Sequence, residues 1–212
     1  MDQRTLTDEF TLPNPEAGAH PLPRDPIELA AGADAAARSW AEFPYFEQRF
    51  AERGRRFATS DTGWLITLCS IEKGAALAQI GWLGSVLASR GMPQYLLERH
   101  LRHLHEALTE ALPHRKKQYV VLQTGARMLE RARRAQIDDE AFRELASAFR
   151  GREVEQMGVL LVAAVADEGG GIRSAVTSIE AWACDPERFR KPWIDAVRAT
   201  IAAARAHRDR KR

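Results

Sequence analysis

The sequence predicts an all-α protein, organised as a single bundle of about seven to nine helices with short loops. Apolar residues recur every three or four positions along most of the chain, as they do on one face of a helix. Proline and glycine fall between these stretches rather than inside them. The best strand candidate, residues 118–123 (QYVVLQ), lies inside a longer helical pattern. With 212 residues, 45% of them hydrophobic, the chain is long enough to bury a sizeable core.

Residues 1–25 predict a disordered, proline-rich arm, because four prolines and little apolar pattern occur there. The first ten residues, MDQRTLTDEF, are polar and acidic, unlike a secretory signal. The longest apolar run, residues 159–166, is too short to span a bilayer. We therefore expect a cytoplasmic protein with no membrane partner. Heavy use of Arg and Ala is typical of a GC-rich bacterial genome.

The remaining chain predicts a helical core over 26–168, a glycine hinge at 169–171, a helical pair over 172–207 that packs on the core, and a basic tail at 208–212. Prolines, glycines and capping residues set the boundaries. Ser60 and Asp61 are interpreted as a cap that starts a new helix, and Asp138 as another. The predicted helices cover about 27–39, 44–58, 74–89, 93–112, 115–135, 138–149, 152–167, 172–184 and 191–207, with one additional short helical segment at 61–69.

The helix over 74–89 carries a ridge of small side chains at intervals of three and four residues, at positions 74, 78, 81, 85 and 88. A second helix can approach such a ridge closely. Because this helix is apolar nearly all round, we expect it to be central, with Trp82 capping a pocket or an interface. The 152–167 helix is also expected to be buried, with Glu153, Glu155 and Gln156 in its first turn.

Three histidines lie within six positions, at His100, His103 and His105. The leucines at 97, 101, 104, 108 and 112 form a core stripe, with His100 and His105 on its shoulders and His103 pointing further out. Spacings of three, two and five differ from the i, i+4 pair that binds a metal from one helix. A single axial ligand to haem or another tetrapyrrole needs only one histidine and an apolar slot. His100, His105 and His114, with Trp82, are the candidates; boundary histidines of an ordinary core are the alternative.

Two groups of basic residues are candidates for binding a partner or an anion. Arg53, Arg55 and Arg56 flank a glycine between aromatic residues, and could either bind an anion or join an internal ion-pair lattice. One face of the 115–135 helix carries Lys116, Arg127, Arg131 and Arg134, with Arg133 close by, and phosphate contact is an option there. Against nucleic-acid binding, the net charge is only +2 and no recognition-helix motif occurs.

No recognisable reaction centre emerges from the sequence. A P-loop, a nucleophile elbow, a Rossmann glycine pattern and the common zinc-helix and di-iron motifs are all missing. Cys69 and Cys184 are distant in sequence, which fits buried thiols. The leading hypothesis is a non-catalytic regulatory, sensory or adaptor module that binds a protein partner or a second copy of itself. The alternatives are a tetrapyrrole-binding protein and a nucleic-acid-binding protein.

Overall fold

The computed structural model describes residues 22–210. Most of the predicted arm at 1–25, and the last two residues of the predicted tail, lie outside this range. The described chain contains nine α-helices and no β-strand, which confirms the predicted all-α fold. The helices are α1 (Pro26–Glu42), α2 (Tyr45–Thr67), α3 (Lys73–Ser89), α4 (Gln94–Ala111), α5 (Lys116–Gln136), α6 (Asp139–Ala148), α7 (Met157–Gly169), α8 (Ala175–Ala183) and α9 (Lys191–Asp209).

The chain divides into two compact units. The described part of the first unit comprises residues 22–80 and 99–126, and that of the second comprises 81–98 and 127–210. The boundaries fall within α3, α4 and α5 rather than in loops. Each unit is therefore assembled from segments that are distant in sequence.

In the first unit, α1 packs against α2, and α4 contributes its predicted leucine stripe. Leu101, Leu104 and Leu108 are completely buried, as predicted. On α5, a side chain at Gly125 would come within 2.8 Å of Ile80, so this glycine allows a close approach between helices.

The expected helix start at Ser60 and Asp61 is wrong. Both residues lie inside α2, which continues to Thr67 and then tightens into a 3₁₀ turn over Leu68–Ser70. The break in α2 occurs instead at Ala51, where φ is 45° and ψ is −140°. Ser60 is buried inside the helix, so its role is packing rather than capping.

In the second unit, α7 contacts α6, α8 and α9. Residues 160–166 are buried throughout, which confirms the predicted buried helix. Its predicted first turn is wrong, because residues 152–156 precede the helix, and Gln156 adopts the left-handed conformation with φ of 62°. A side chain at Gly158 would come within 2.4 Å of the Ala146 carbonyl oxygen, so α7 begins where its backbone meets the end of α6.

The glycines at 169–171, the predicted hinge, lie at the C-terminal end of α7. Gly171 has a φ of 105°, and its N–H donates to the Glu168 carbonyl while the Ile172 N–H donates to that of Asp167. This pair of bonds is the Schellman arrangement that closes a helix. Beyond it, Trp193 on α9 is buried and donates its indole N–H to the Ala183 carbonyl at 2.9 Å, which fastens α9 to α8.

The expectation that α3 is central is also wrong. Trp82 is 56% exposed, and Gly74, Ala78 and Ser85 of the small-residue ridge are exposed with it. The buried face instead carries Ile80 and Leu83. Larger side chains remove more apolar area from water than glycine or alanine, so Ile80 and Leu83 turn inward, and of the five ridge positions only Ala88 is buried with them.

Candidate ligand-binding pocket

A pocket of about 1070 Å³, open to solvent, lies within the second unit. Its volume is at the upper end of the range of small-molecule sites. Its walls come from five places: α6, the connection over 149–156, the first turn of α7, one position on α4 and two adjacent positions on α5. The aromatic and charged side chains of the lining include Tyr95, Arg133, Arg134, Asp139, Phe142, Arg143 and Arg152.

The aromatic part of the pocket surrounds the Arg133 side chain, which is only 10% exposed. The guanidinium carbon lies 4.5 Å from the ring centroid of Phe142 and 5.6 Å from that of Tyr95. A cation over an aromatic face gains electrostatic stabilisation from the ring quadrupole. The two rings, themselves 5.5 Å apart, thus hold the guanidinium group at the pocket wall.

A chain of carboxylates neutralises part of this basic wall. Arg133 lies 3.4 Å from a Glu98 oxygen and 3.2 Å from an Asp139 oxygen. Arg134 pairs with the same Asp139 at 2.6 Å and with Glu130 at 2.8 Å. Burial raises the pKa of Asp139, but hydrogen bonds from Arg134 and Arg133 outweigh it and hold that pKa below its usual value. Asp139 is therefore ionised at neutral pH.

The connection over 149–156 forms one wall of the pocket because close packing fixes its path. A side chain at Gly151 would come within 2.3 Å of Trp193 and 2.5 Å of Phe149, so only glycine fits there without displacing an aromatic ring. Val154 is buried, which anchors the middle of the segment. Gln156 then turns the chain into α7 without a side-chain cap.

Behind the pocket, Asp167 of α7 fixes the start of α4. Its carboxylate accepts a hydrogen bond of 2.8 Å from the Gln94 N–H, one of the first-turn groups that has no acceptor within its own helix. Burial raises the pKa of Asp167 to about 7, while the Gln94 N–H and the Arg133 charge act in the opposite direction. Since Tyr95 follows Gln94, the Asp167 bond positions an aromatic side chain of the pocket.

The sequence-predicted tetrapyrrole candidates do not line this pocket. His100, in the first unit, is hydrogen-bonded at both ring nitrogens, with Nδ1 2.9 Å from Ser39 Oγ and Nε2 2.9 Å from Thr62 Oγ1. An iron ligated by this ring would displace one hydroxyl. His114 is exposed beside α5, and His105 is partly exposed on α4.

His103 was expected to point towards solvent, and the structure differs. Its side chain is only 16% exposed, and Nε2 lies 2.7 Å from a Glu42 oxygen. Arg99 contacts the other oxygen of the same carboxylate at 2.8 Å. Glu42 therefore draws two basic side chains of α4 onto the end of α1. Among residues 22–210, no group of three or more His, Cys, Asp or Glu side chains is arranged to hold a metal ion.

The predicted anion-binding arginines of α2 are exposed, and contacts within their own unit hold Arg53 and Arg55 in place. Arg55 pairs with Glu47 at 2.7 Å and lies 4.4 Å from the ring centroid of Trp40. Arg53 lies 5.5 Å from that of Phe57. Lys116, Arg127 and Arg131 are exposed on α5, outside the pocket, as is Arg56 on α2.

Sequence reasoning placed Arg134, with Arg133 close by, on a basic helix face, but it missed the aromatic side chains of the pocket and its arginines at 143 and 152. One signal was available: Phe142-Arg143 recurs seven residues later as Phe149-Arg150.

No helix in the described range is long and apolar enough to cross a membrane. No protein-family model, curated protein or solved structure matches the chain.

Proposed function

We propose that the protein is a cytoplasmic, non-catalytic binding protein whose ligand is a small molecule held in the pocket of the second unit. The observation that carries the proposal is the pocket itself, about 1070 Å³ in volume and lined by aromatic, aliphatic and basic side chains. Ligand sites combine apolar walls with a few fixed polar groups in this way. A regulatory or sensory role fits such a site, because ligand binding stabilises the state that forms it.

The ion pairs around the pocket support a site that is formed before a ligand arrives. Asp139 is shared by Arg133 and Arg134, and Arg133 is fixed between two aromatic rings. Asp167 fixes the backbone beside Tyr95. A preformed site loses less conformational entropy on binding than one that must be ordered by its ligand.

A blocked pocket tests the proposal. Ser147 is an exposed residue of the pocket wall on α6, whereas its neighbour Ala148 is exposed on the same helix outside the pocket. We expect Ser147→Trp to abolish the thermal stabilisation produced by small organic ligands, and Ala148→Trp to preserve it. Ligands should be recovered chemically unchanged, as measured by mass spectrometry. Equal stabilisation of both variants would place binding elsewhere and contradict the proposal.

A further inference from the structure

Arg133 is a buried cation whose ion pairs are loose. Its contacts with Glu98 and Asp139, at 3.4 and 3.2 Å, are longer than the roughly 2.7–2.9 Å typical of charge-assisted hydrogen bonds. A guanidinium group carries five N–H donors, and in the described part of the chain these two carboxylates are its acceptors. A buried charge is stable only when it is well paired, so this cation favours a further acceptor.

Two other guanidinium groups of the pocket have no carboxylate partner within residues 22–210. Arg143 donates to the Asp139 backbone carbonyl at 3.1 Å, and the described contact of Arg152 is made by its backbone N–H. Both side chains line the pocket and are exposed. The lining contains four arginines and two acidic residues, Asp139 and Glu155, while Glu98 and Glu130 beside it pair with Arg133 and Arg134. The positive charge of the lining without a carboxylate partner in the described chain is therefore that of Arg143 and Arg152.

Much of the remaining lining is apolar. Phe142, Val154 and Met157 are buried at the pocket wall, and Tyr95 and Phe149 are partly exposed there. A ligand that consisted only of a charged group would leave the exposed parts of these two rings facing water, and burying apolar surface is favourable by about 25 cal/mol per Å². The lining therefore matches a molecule with both a charged and an apolar part.

From Arg143, Arg152 and the loosely paired Arg133 we infer that the pocket takes a small organic anion, namely a carboxylate, sulfonate or phosphate monoester attached to an apolar ring. Its anionic group lies among Arg133, Arg143 and Arg152, and its ring lies against the apolar wall. The inference rests on the proposed function and goes further by naming the class of ligand. The first turn of α7 contributes additional positive potential at the same wall.

Two probes with the same ring system test the ligand class. Anilinonaphthalene sulfonate carries an anionic group, and N-phenyl-naphthylamine has the same aromatic rings without it. We expect the full-length protein to bind the sulfonate with one-to-one stoichiometry and at least about tenfold more tightly than the neutral amine, as measured by fluorescence titration and calorimetry. A charge-assisted hydrogen bond between the sulfonate and one arginine accounts for a difference of this size.

Paired charge variants locate the anionic group. Arg143→Gln combined with Arg152→Gln is expected to remove most of the preference for the sulfonate and to leave binding of the amine unchanged. The matched control is Arg127→Gln combined with Arg131→Gln, which lowers the net charge equally at exposed positions outside the pocket. Because all four side chains are exposed, these variants should fold normally.

The outcomes separate this inference from the proposed function. Equal affinity for the two probes, with both lost in Ser147→Trp, would overturn the anion class and leave a small-molecule site. Equal loss of sulfonate binding in the two paired variants would also overturn it, because the effect would then come from net charge. If neither probe showed binding that Ser147→Trp abolishes, the proposed function and the inference would both be overturned.

Discussion

Asp167 combines two roles at the scale of one residue, since it caps α4 and carries a carboxyl whose pKa burial raises to about 7. The unfolded chain releases this proton near pH 4. Between about pH 4 and pH 7 the folded state therefore binds one more proton than the unfolded state, and this residue's contribution to stability falls as the pH rises.

Asp167→Asn keeps an acceptor oxygen for the Gln94 N–H but cannot ionise. As the pH rises from roughly 5 to 8, the wild type should lose about 2 kcal/mol of unfolding free energy relative to Asp167→Asn. Urea unfolding at the two pH values measures this difference. A stability difference that does not change with pH would show that the carboxyl ionises as easily in the folded protein as in the unfolded chain.

His100 has the opposite pH dependence. Burial, with the nearby His103, lowers its pKa to about 4. Ser39 and Thr62 lie 3.0 and 2.7 Å from acceptor carbonyls on their own helices. If both hydroxyls donated to these carbonyls, both ring nitrogens would have to carry a proton and donate it to the hydroxyl oxygens. The neutral ring has one, so at neutral pH one hydroxyl must donate to it.

Acidification should therefore destabilise the protein through His100. The unfolded chain takes up this proton near pH 6.5, so the stabilising contribution is lost as the pH falls from about 6.5 to 4. We expect the wild type to lose about 2 kcal/mol more between roughly pH 7 and pH 4.5 than His100→Gln, measured by urea unfolding. His114→Gln removes an exposed histidine instead and should retain the wild-type pH dependence.

The same His100 variant addresses the tetrapyrrole hypothesis. With both nitrogens engaged, the wild type is expected to leave the Soret band of added haemin unshifted. A shifted and sharpened band that appears with the wild type and is absent with His100→Gln would show that iron displaces Ser39 or Thr62 from the ring, and would favour the tetrapyrrole alternative.

At the scale of the element, α2 contains a costly residue at its kink. Ala51 has φ of 45° and ψ of −140°, a combination that is favourable only for glycine. We expect Ala51→Gly to raise the unfolding free energy by about 1 kcal/mol, measured by urea denaturation. Ala58→Gly in the regular part of the same helix is expected to lower it by about the same amount. If both variants were destabilised, the kink at Ala51 would not be strained in solution.

Local sequence signals predicted the helices with the clearest ends. Asp138 caps α6 as expected, accepting a hydrogen bond from the Ala141 N–H at 3.0 Å, because a cap depends on residues three positions apart. The beginning of α7 could not be predicted this way. It depends on Gly158 meeting the Ala146 carbonyl and on Gly151 lying against Trp193, contacts that only the folded chain brings together.

The candidate pocket was missed for the same reason. Tyr95, Arg133 and Arg152 come from separate segments, and no two of them form a motif that a linear reading detects. The sequence did mark Arg133 as part of a basic helix, but its side chain turns inward to two aromatic rings while Arg127 and Arg131 remain exposed. Which arginine of a basic helix is buried depends on the neighbouring helices.

For the whole molecule, charge is balanced overall and concentrated locally. The chain has 31 basic and 29 acidic residues, so its long-range field is weak. Many arginines contact carboxylates within their own unit, including Arg115 with Asp25 at 2.8 Å and Arg208 with Glu168 at 3.0 Å. Arg208 belongs to the predicted basic tail, yet it is buried on α9. Arginines without a carboxylate partner therefore attract an anion most strongly where a pocket brings several of them together.

This distribution separates the proposed function from nucleic-acid binding. Lys116, Arg127 and Arg131 are the exposed basic residues of α5 on which that alternative depends. We expect the wild type and a variant with all three changed to Gln to elute from heparin at similar, low salt concentrations. A polyanion site would instead give a steep salt dependence, whose slope falls by about one for each neutralised contact. A pocket that pairs with a single anionic group involves one contact of this kind, so its salt dependence stays shallow. A steep slope that decreases in the triple variant would therefore favour nucleic acid as the ligand and place the functional surface on α5.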